Sequence, residues 1–191
     1  MSRPSGRAAQ EVRQEIRHLF PGQCRYIWES PCPIQTTLVE ISDYELERGK
    51  PIPSENHGSI QLNVGFELKL RYRESFRFRS EVNVAIGERV IVPDVAIFPY
   101  EPINLSSDSI VSQQLPLTTI EILSQTQALS DLIAKANAYF QAGVKSCWIV
   151  LPEVSGIFVY SALGKYTFFH DGETLTDVAT GIELPLAPLF E

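Results

Sequence analysis

Apolar residues recur along this chain with two different periods, and the changes between them mark out the elements. Val12, Ile16, Leu19 and Phe20 are spaced as one face of a helix that stops before Pro21-Gly22. Pro31, Pro33, Pro51 and Pro53 then punctuate an irregular lead-in, where Leu38 to Leu46 and Lys50 to Ile52 can form a hairpin-like entry turned at Arg48-Gly49. Ile60, Val64 and Leu68, with Leu62 and Leu70 beside them, predict a first core helix from His57 to about Arg71. The period shortens in Phe76 to Ile86 and Arg89 to Phe98, two runs joined at Gly87-Glu88 as in a β-hairpin.

Leu117 to Leu123 is short and mostly apolar, as a buried strand is. Leu129, Ile133, Ala136 and Phe140 then restore the helical period to about Gln141, with Thr126 or Ser130 as the cap and Gly143 as the stop. Three more strands follow at Lys145 to Leu151, Gly156 to Tyr160 and Tyr166 to His170, and a Leu- and Pro-rich tail, Gly181 to Phe190, is expected to pack back on the sheet. The order predicts a mixed sheet flanked by helices, an α/β or α+β domain over residues 38–191, behind an N-terminal helical arm and irregular lead-in over 1–37. A chain of 191 residues accommodates one such domain and not two.

Charge and cysteines narrow the class. Lys plus Arg at 16 against Asp plus Glu at 23 give a net charge of −7, so the bulk field repels nucleic acid. A bulk electrostatic DNA binder is disfavoured, whereas an enzyme that gathers its basic residues on one face is not. Cys24, Cys32 and Cys147 are odd in number and lack zinc-site spacing, which fits a reduced cytoplasmic protein. No stretch approaches the roughly 20 apolar residues of a membrane span, and the N-terminus lacks the apolar core of a secretory signal. Arg3, Arg7, Arg13 and Arg17 superficially suit a transit peptide, but Glu11 and Glu15 argue for a helical arm that docks or dimerises. A homodimer is expected; a membrane or an organic cofactor is not.

Two acids stand where acids are costly. Asp94, in Pro93-Asp94-Val95, and Glu121, in Thr119-Ile120-Glu121-Ile122-Leu123, sit in runs of Val, Ile, Leu and Thr, where an unpaired carboxylate costs several kcal/mol. Something cationic is expected between them, and a divalent metal is one candidate. If the Asp94 strand neighbours the Leu117 strand, the two carboxylates converge. Asp131, Lys135 and Tyr139 share a face of the following helix, from which Lys135 could reach the acids. Hard oxygen ligands for Mg²⁺ (or Mn²⁺) with a lysine to stabilise developing charge suit phosphodiester hydrolysis. The blander alternative is a turn aspartate and a solvated helix pair.

Tyr44-Glu45-Leu46 with Gly49, His57, Pro93-Asp94-Val95, Glu121-Ile122-Leu123-Ser124, Asp131, Lys135 to Tyr139, Ala142-Gly143-Val144 and Trp148-Ile149-Val150 follow one another in an order that resembles the Uma-type proteins. These are bacterial restriction-endonuclease-like domains of the PD-(D/E)xK nuclease superfamily. The resemblance runs from about Leu38 to Phe190 and implies a Mg²⁺-dependent DNA endonuclease, with the metal on Asp94, Glu121 and the backbone carbonyl of Ile122. The superfamily lysine normally stands two residues after the second acid, where this chain has Leu123, so its role passes to Lys135. Glu45 matches the family's upstream glutamate and could complete the site or merely cap a turn. Ser124-Gln125-Thr126 lacks the proline the family commonly has in this loop, and Leu151 stands where it commonly has Asp before Pro152.

Arg77 and Arg79 interleave with Phe76 and Phe78, so on a strand they form a basic stripe opposite the aromatics: a phosphate-contacting edge or a solvated sheet face. His57 starts the first core helix, where it orients the site or makes a structural hydrogen bond. The alternative to an active nuclease is a nuclease-like fold without catalysis, serving as a DNA-binding or protein-interaction module.

Overall fold

The computed structural model describes residues 53–191; the expected arm, the hairpin-like entry, the boundary after residue 37 and Glu45 lie outside the described residues. Helix α1 spans Glu55–Tyr72 and starts at Ser54, whose Oγ accepts the His57 N–H at 3.2 Å. It buries His57, Ile60, Val64, Glu67 and Leu68. Leu62 and Leu70, expected beside the core, lie on the opposite, exposed side with Phe66.

The hairpin expected over 76–98 exists, but it is split between two sheets. Strand β1 (Phe76–Ser80) pairs antiparallel with β4 (Val95–Pro99), while the tip, β2 (Asn83–Ile86) and β3 (Arg89–Ile91), joins β5 (Val111–Ser112) in a three-stranded sheet. Two backbone features mark the break: Glu81 has φ 51°, and Pro93 cannot donate to a ladder. The tip turns through Gly87, whose φ of 61° suits a two-residue hairpin loop.

Strand β6 (Thr118–Ile122), helix α2 (Leu129–Ala142) and β7 (Ser146–Leu151) form a β-α-β crossover with parallel strands. Neither Thr126 nor Ser130 caps α2. The helix starts after Ala128, whose N–H donates to the Asp131 carboxylate at 3.3 Å, so the N3 side chain holds the end instead. Gly143 stops it as expected, at φ 107°. Strands β8 (Gly156–Ala162) and β9 (Lys165–His170) complete a six-stranded mixed sheet ordered β1-β4-β6-β7-β8-β9. The tail forms a second small sheet from β10 (Thr174–Asp177), which the sequence pattern does not reveal, and β11 (Ile182–Pro185).

Alternation along the strands divides the core in two. Ile120, Ile122, Val95, Ile97, Trp148 and Val150 face α1 and the tail residues Leu175, Ile182, Leu184, Leu186 and Leu189. Ala96, Phe98, Cys147 and Ile149 face α2 through Leu132, Ala136 and Tyr139, with Val84 and Ile86 of the small sheet beside them. Asp177 closes the first layer: its buried carboxylate accepts from Thr118 Oγ1, Trp148 Nε1 and the Ala179 N–H. No helix among the described residues is long and apolar enough to cross a membrane.

Candidate active site

The adjacency on which the two acids depend is present. Strand β4 pairs antiparallel with β6 in the register Val95↔Ile120, and continuing it sets Asp94 opposite Glu121 and Pro93 opposite Ile122. Asp94 Oδ2 accepts the Ile122 N–H at 2.7 Å, so the side chain replaces a backbone partner just where the ladder ends. Pro93 has no N–H to offer the Ile122 carbonyl across the ladder.

Glu121 points to the α2 side, opposite Ile120 and Ile122, and is 1% exposed. Lys135 Nζ donates to its Oε2 at 2.9 Å, and Tyr139 Oη donates to its Oε1 at 2.5 Å. Spacing of i, i+4 on α2 aims both donors at one carboxylate. Asp131, expected on the same face, is exposed and occupied at the helix start.

Burial pushes the Glu121 carboxyl above the usual carboxylate range; the Lys135 ammonium pulls it back, while the Asp94 charge pushes it further up. The Tyr139 hydroxyl is also held well above its ordinary value, by burial first and by Glu121 second, so it stays a proton donor to Glu121. The Cys147 thiol on the same face is pushed up to about 12, chiefly by burial.

Three further residues adjoin the two acids: His57, for which the sequence left an orienting or a structural role open, and Tyr139 and Gln61, to which it gave no role. His57 Nε2 lies 3.6 Å from Asp94 Oδ1, and its Nδ1 is 3.2 Å from Ser124 Oγ, so the histidine links the start of α1, the first acid and the loop after β6. Tyr139 was legible only as a neighbour of Lys135 on a helix face. Gln61 Nε2 donates to the Asp94 carbonyl at 2.9 Å, tying α1 to the same turn.

Arg77 and Arg79 do alternate with Phe76 and Phe78, which pack on the α1 layer. Both arginines are engaged nearby. Arg77 donates through Nε to the Glu101 carbonyl at 2.8 Å and lies over Tyr100, whereas Arg79 pairs with the Glu101 carboxylate and lies over Phe98.

A mixed sheet with a crossover helix and paired acids at the end of a parallel strand makes this a restriction-endonuclease-like α+β domain. The family model described as "Uma2: Putative restriction endonuclease" matches residues 35–187, and the chain belongs to that family. Among solved structures, the chain is similar to one described as a putative nuclease belonging to DUF820 from Anabaena variabilis, with a TM-score of 0.63 and 23% identity, over 74% of this chain and 83% of that one. The comparison with curated proteins returned no match.

The residues present fit a divalent cation by the chemistry of their donors. Among the described residues no three His, Cys, Asp or Glu side chains form a metal-binding group. Mg²⁺, however, is commonly held by one or two carboxylates with water and substrate phosphate making up the rest. One acid in β6 and one just before β4, the former pushed up chiefly by burial and further by the Asp94 charge, favour a cation on electrostatic grounds.

Proposed function

We propose that this protein is a divalent-metal-dependent endonuclease hydrolysing phosphodiester bonds in DNA. The observation that carries the reading is the pairing of Asp94 with a fully buried Glu121 at the open end of β6, with Lys135 delivered by the crossover helix. Asp94, Glu121 and the Ile122 carbonyl would hold Mg²⁺ or Mn²⁺, which when bound polarises the phosphate and lowers the pKa of water.

The chain's own residues do the rest. Ile122 N–H and His57 contact Asp94 from two sides, while Tyr139 holds Oε1 of Glu121 and Lys135 holds Oε2, the oxygen a metal would share with or take over from the ammonium. Lys135 is 25% exposed and so bridges the buried acid and solvent. Its ammonium serves the phosphate side, stabilising developing negative charge or orienting the attacking water. The adjoining strand β1 adds Arg77, whose side chain donates to a carbonyl and stacks on a ring rather than pairing with a carboxylate, as a candidate phosphate contact; Arg79 is largely committed to Glu101.

The test is supercoiled plasmid incubated with the full chain and Mg²⁺ or Mn²⁺. Nicked or linear product that disappears with chelator supports the reading, and intact plasmid under both metals overturns it. A second reading, a nuclease-like module without catalysis, is favoured by one observation: both Glu121 oxygens already have protein donors. Under that reading the chain binds DNA or a protein partner but leaves plasmid intact.

A further inference from the structure

Helix α1 is apolar on the side that faces away from the core. Leu62, Phe66 and Leu70 are 72%, 61% and 60% exposed and follow one another at i, i+4 and i+8, a continuous stripe opposite buried Ile60, Val64 and Leu68. Gly58 and Gly65 flank the stripe. Glycine is a poor choice in a helix interior, and a Cβ at either position would meet nothing within 4 Å, so no packing among the described residues requires it. A groove of about 470 Å³ runs alongside, floored by the two glycines and reaching Phe78 and Val95 of the sheet edge.

We propose that this face is a two-fold interface between copies of the chain, with the α1 helices packed antiparallel about the midpoint between Leu62 and Phe66, one residue before Gly65. A two-fold contact must be self-complementary, and this surface is. Centred beside Gly65, antiparallel pairing sets Leu62 against Phe66 of the second copy and Leu70 against its Gly58, so that large side chains enter the gaps the glycines leave. The same register sets Glu55, in the first turn, against Arg73, just past the last, at both ends of the contact. Among the described residues Arg73 is engaged by its neighbour Glu74, at 3.2 Å between exposed groups. Opposed helix dipoles add to the match. The groove beside α1 widens the footprint beyond one helix, as a stable dimer of about 800 Å² per partner needs.

The experiment is sedimentation or light scattering of the full chain at micromolar concentration, wild type beside Phe66→Glu and Leu62→Lys. Both positions are exposed, so the variants should keep the wild-type circular dichroism. The interface predicts a wild-type dimer whose dissociation constant rises about a hundredfold or more in either variant, because each substitution places a charge in both of the symmetry-related Leu62–Phe66 contacts. Glu55→Arg should weaken the dimer and the double variant Glu55→Arg/Arg73→Glu should restore it, which fixes the antiparallel register. A monomeric wild type, or a dimer indifferent to Phe66→Glu, overturns the proposal, and neither outcome depends on nuclease activity.

Discussion

Replacing Lys135 with methionine removes a charge while keeping the length of the side chain, and Glu121 should feel it more than any other group. The carboxylate is fully buried, and Lys135 is its cationic partner at 2.9 Å. Breaking a buried pair from one side costs about 3–5 kcal/mol when the remaining charge cannot escape. Here it can escape by protonation, at about 1.4 kcal/mol for each pH unit above its own pKa. The folded chain already holds the Glu121 proton more tightly than the unfolded chain, so its ionisation erodes stability as pH rises above the ordinary carboxylate range. Without Lys135 the folded-state value moves further up, and the window of loss extends to higher pH. Lys135→Met should therefore be less stable than wild type by a margin that grows by about 1–3 kcal/mol from pH 6 to pH 8. Urea unfolding at the two pH values measures it. The double variant Glu121→Gln/Lys135→Met should recover most of the loss, since no buried charge remains. A margin independent of pH, or a double variant no better than the single one, would refute the reasoning.

Tyr139→Phe removes a hydrogen bond to a buried carboxylate and should cost about 1.5–3 kcal/mol in urea unfolding at pH 7. Asp177→Ala leaves Thr118 and Trp148 without their buried acceptor; a loss of about 3–5 kcal/mol with altered tryptophan emission is expected, and a loss below about 1 kcal/mol would contradict the geometry. Cys147, buried with its thiol pushed up to about 12, should resist iodoacetamide at pH 8 in the native chain and react once urea unfolds it, as peptide mass mapping would show.

The sequence carries the strand order near the site because periodicity changes there are sharp. Alternation alone puts Glu121 opposite Ile120 and Ile122, and adjacency of sequential strands brings it to Asp94. What escapes the pattern depends on contacts made only in three dimensions. The long hairpin reads as one unit because its apolar alternation continues through Glu81 and Pro93, yet a positive φ and a missing donor send its tip into another sheet. Helix α1 is apolar on both sides, so periodicity cannot tell Ile60 from Leu62; only packing does. Asp177 looks like a turn residue, and nothing local signals that Thr118 and Trp148, distant in sequence, complete its bonds. Tyr139 and His57 are similar: each occupies a recognisable helix position, but the carboxylate it meets comes from another strand. The family resemblance supplied the order of motifs, and the fold supplied their meeting point.

The central claim is that Asp94 and Glu121 hold a divalent cation, and calorimetric titration of Mn²⁺ into the full chain addresses it most directly. Wild type should bind at one site with a dissociation constant in the millimolar range or tighter. Asp94→Asn and Glu121→Gln, with unchanged circular dichroism, should each abolish the heat of binding. Equal binding by all three proteins, or none by the wild type, would contradict the account.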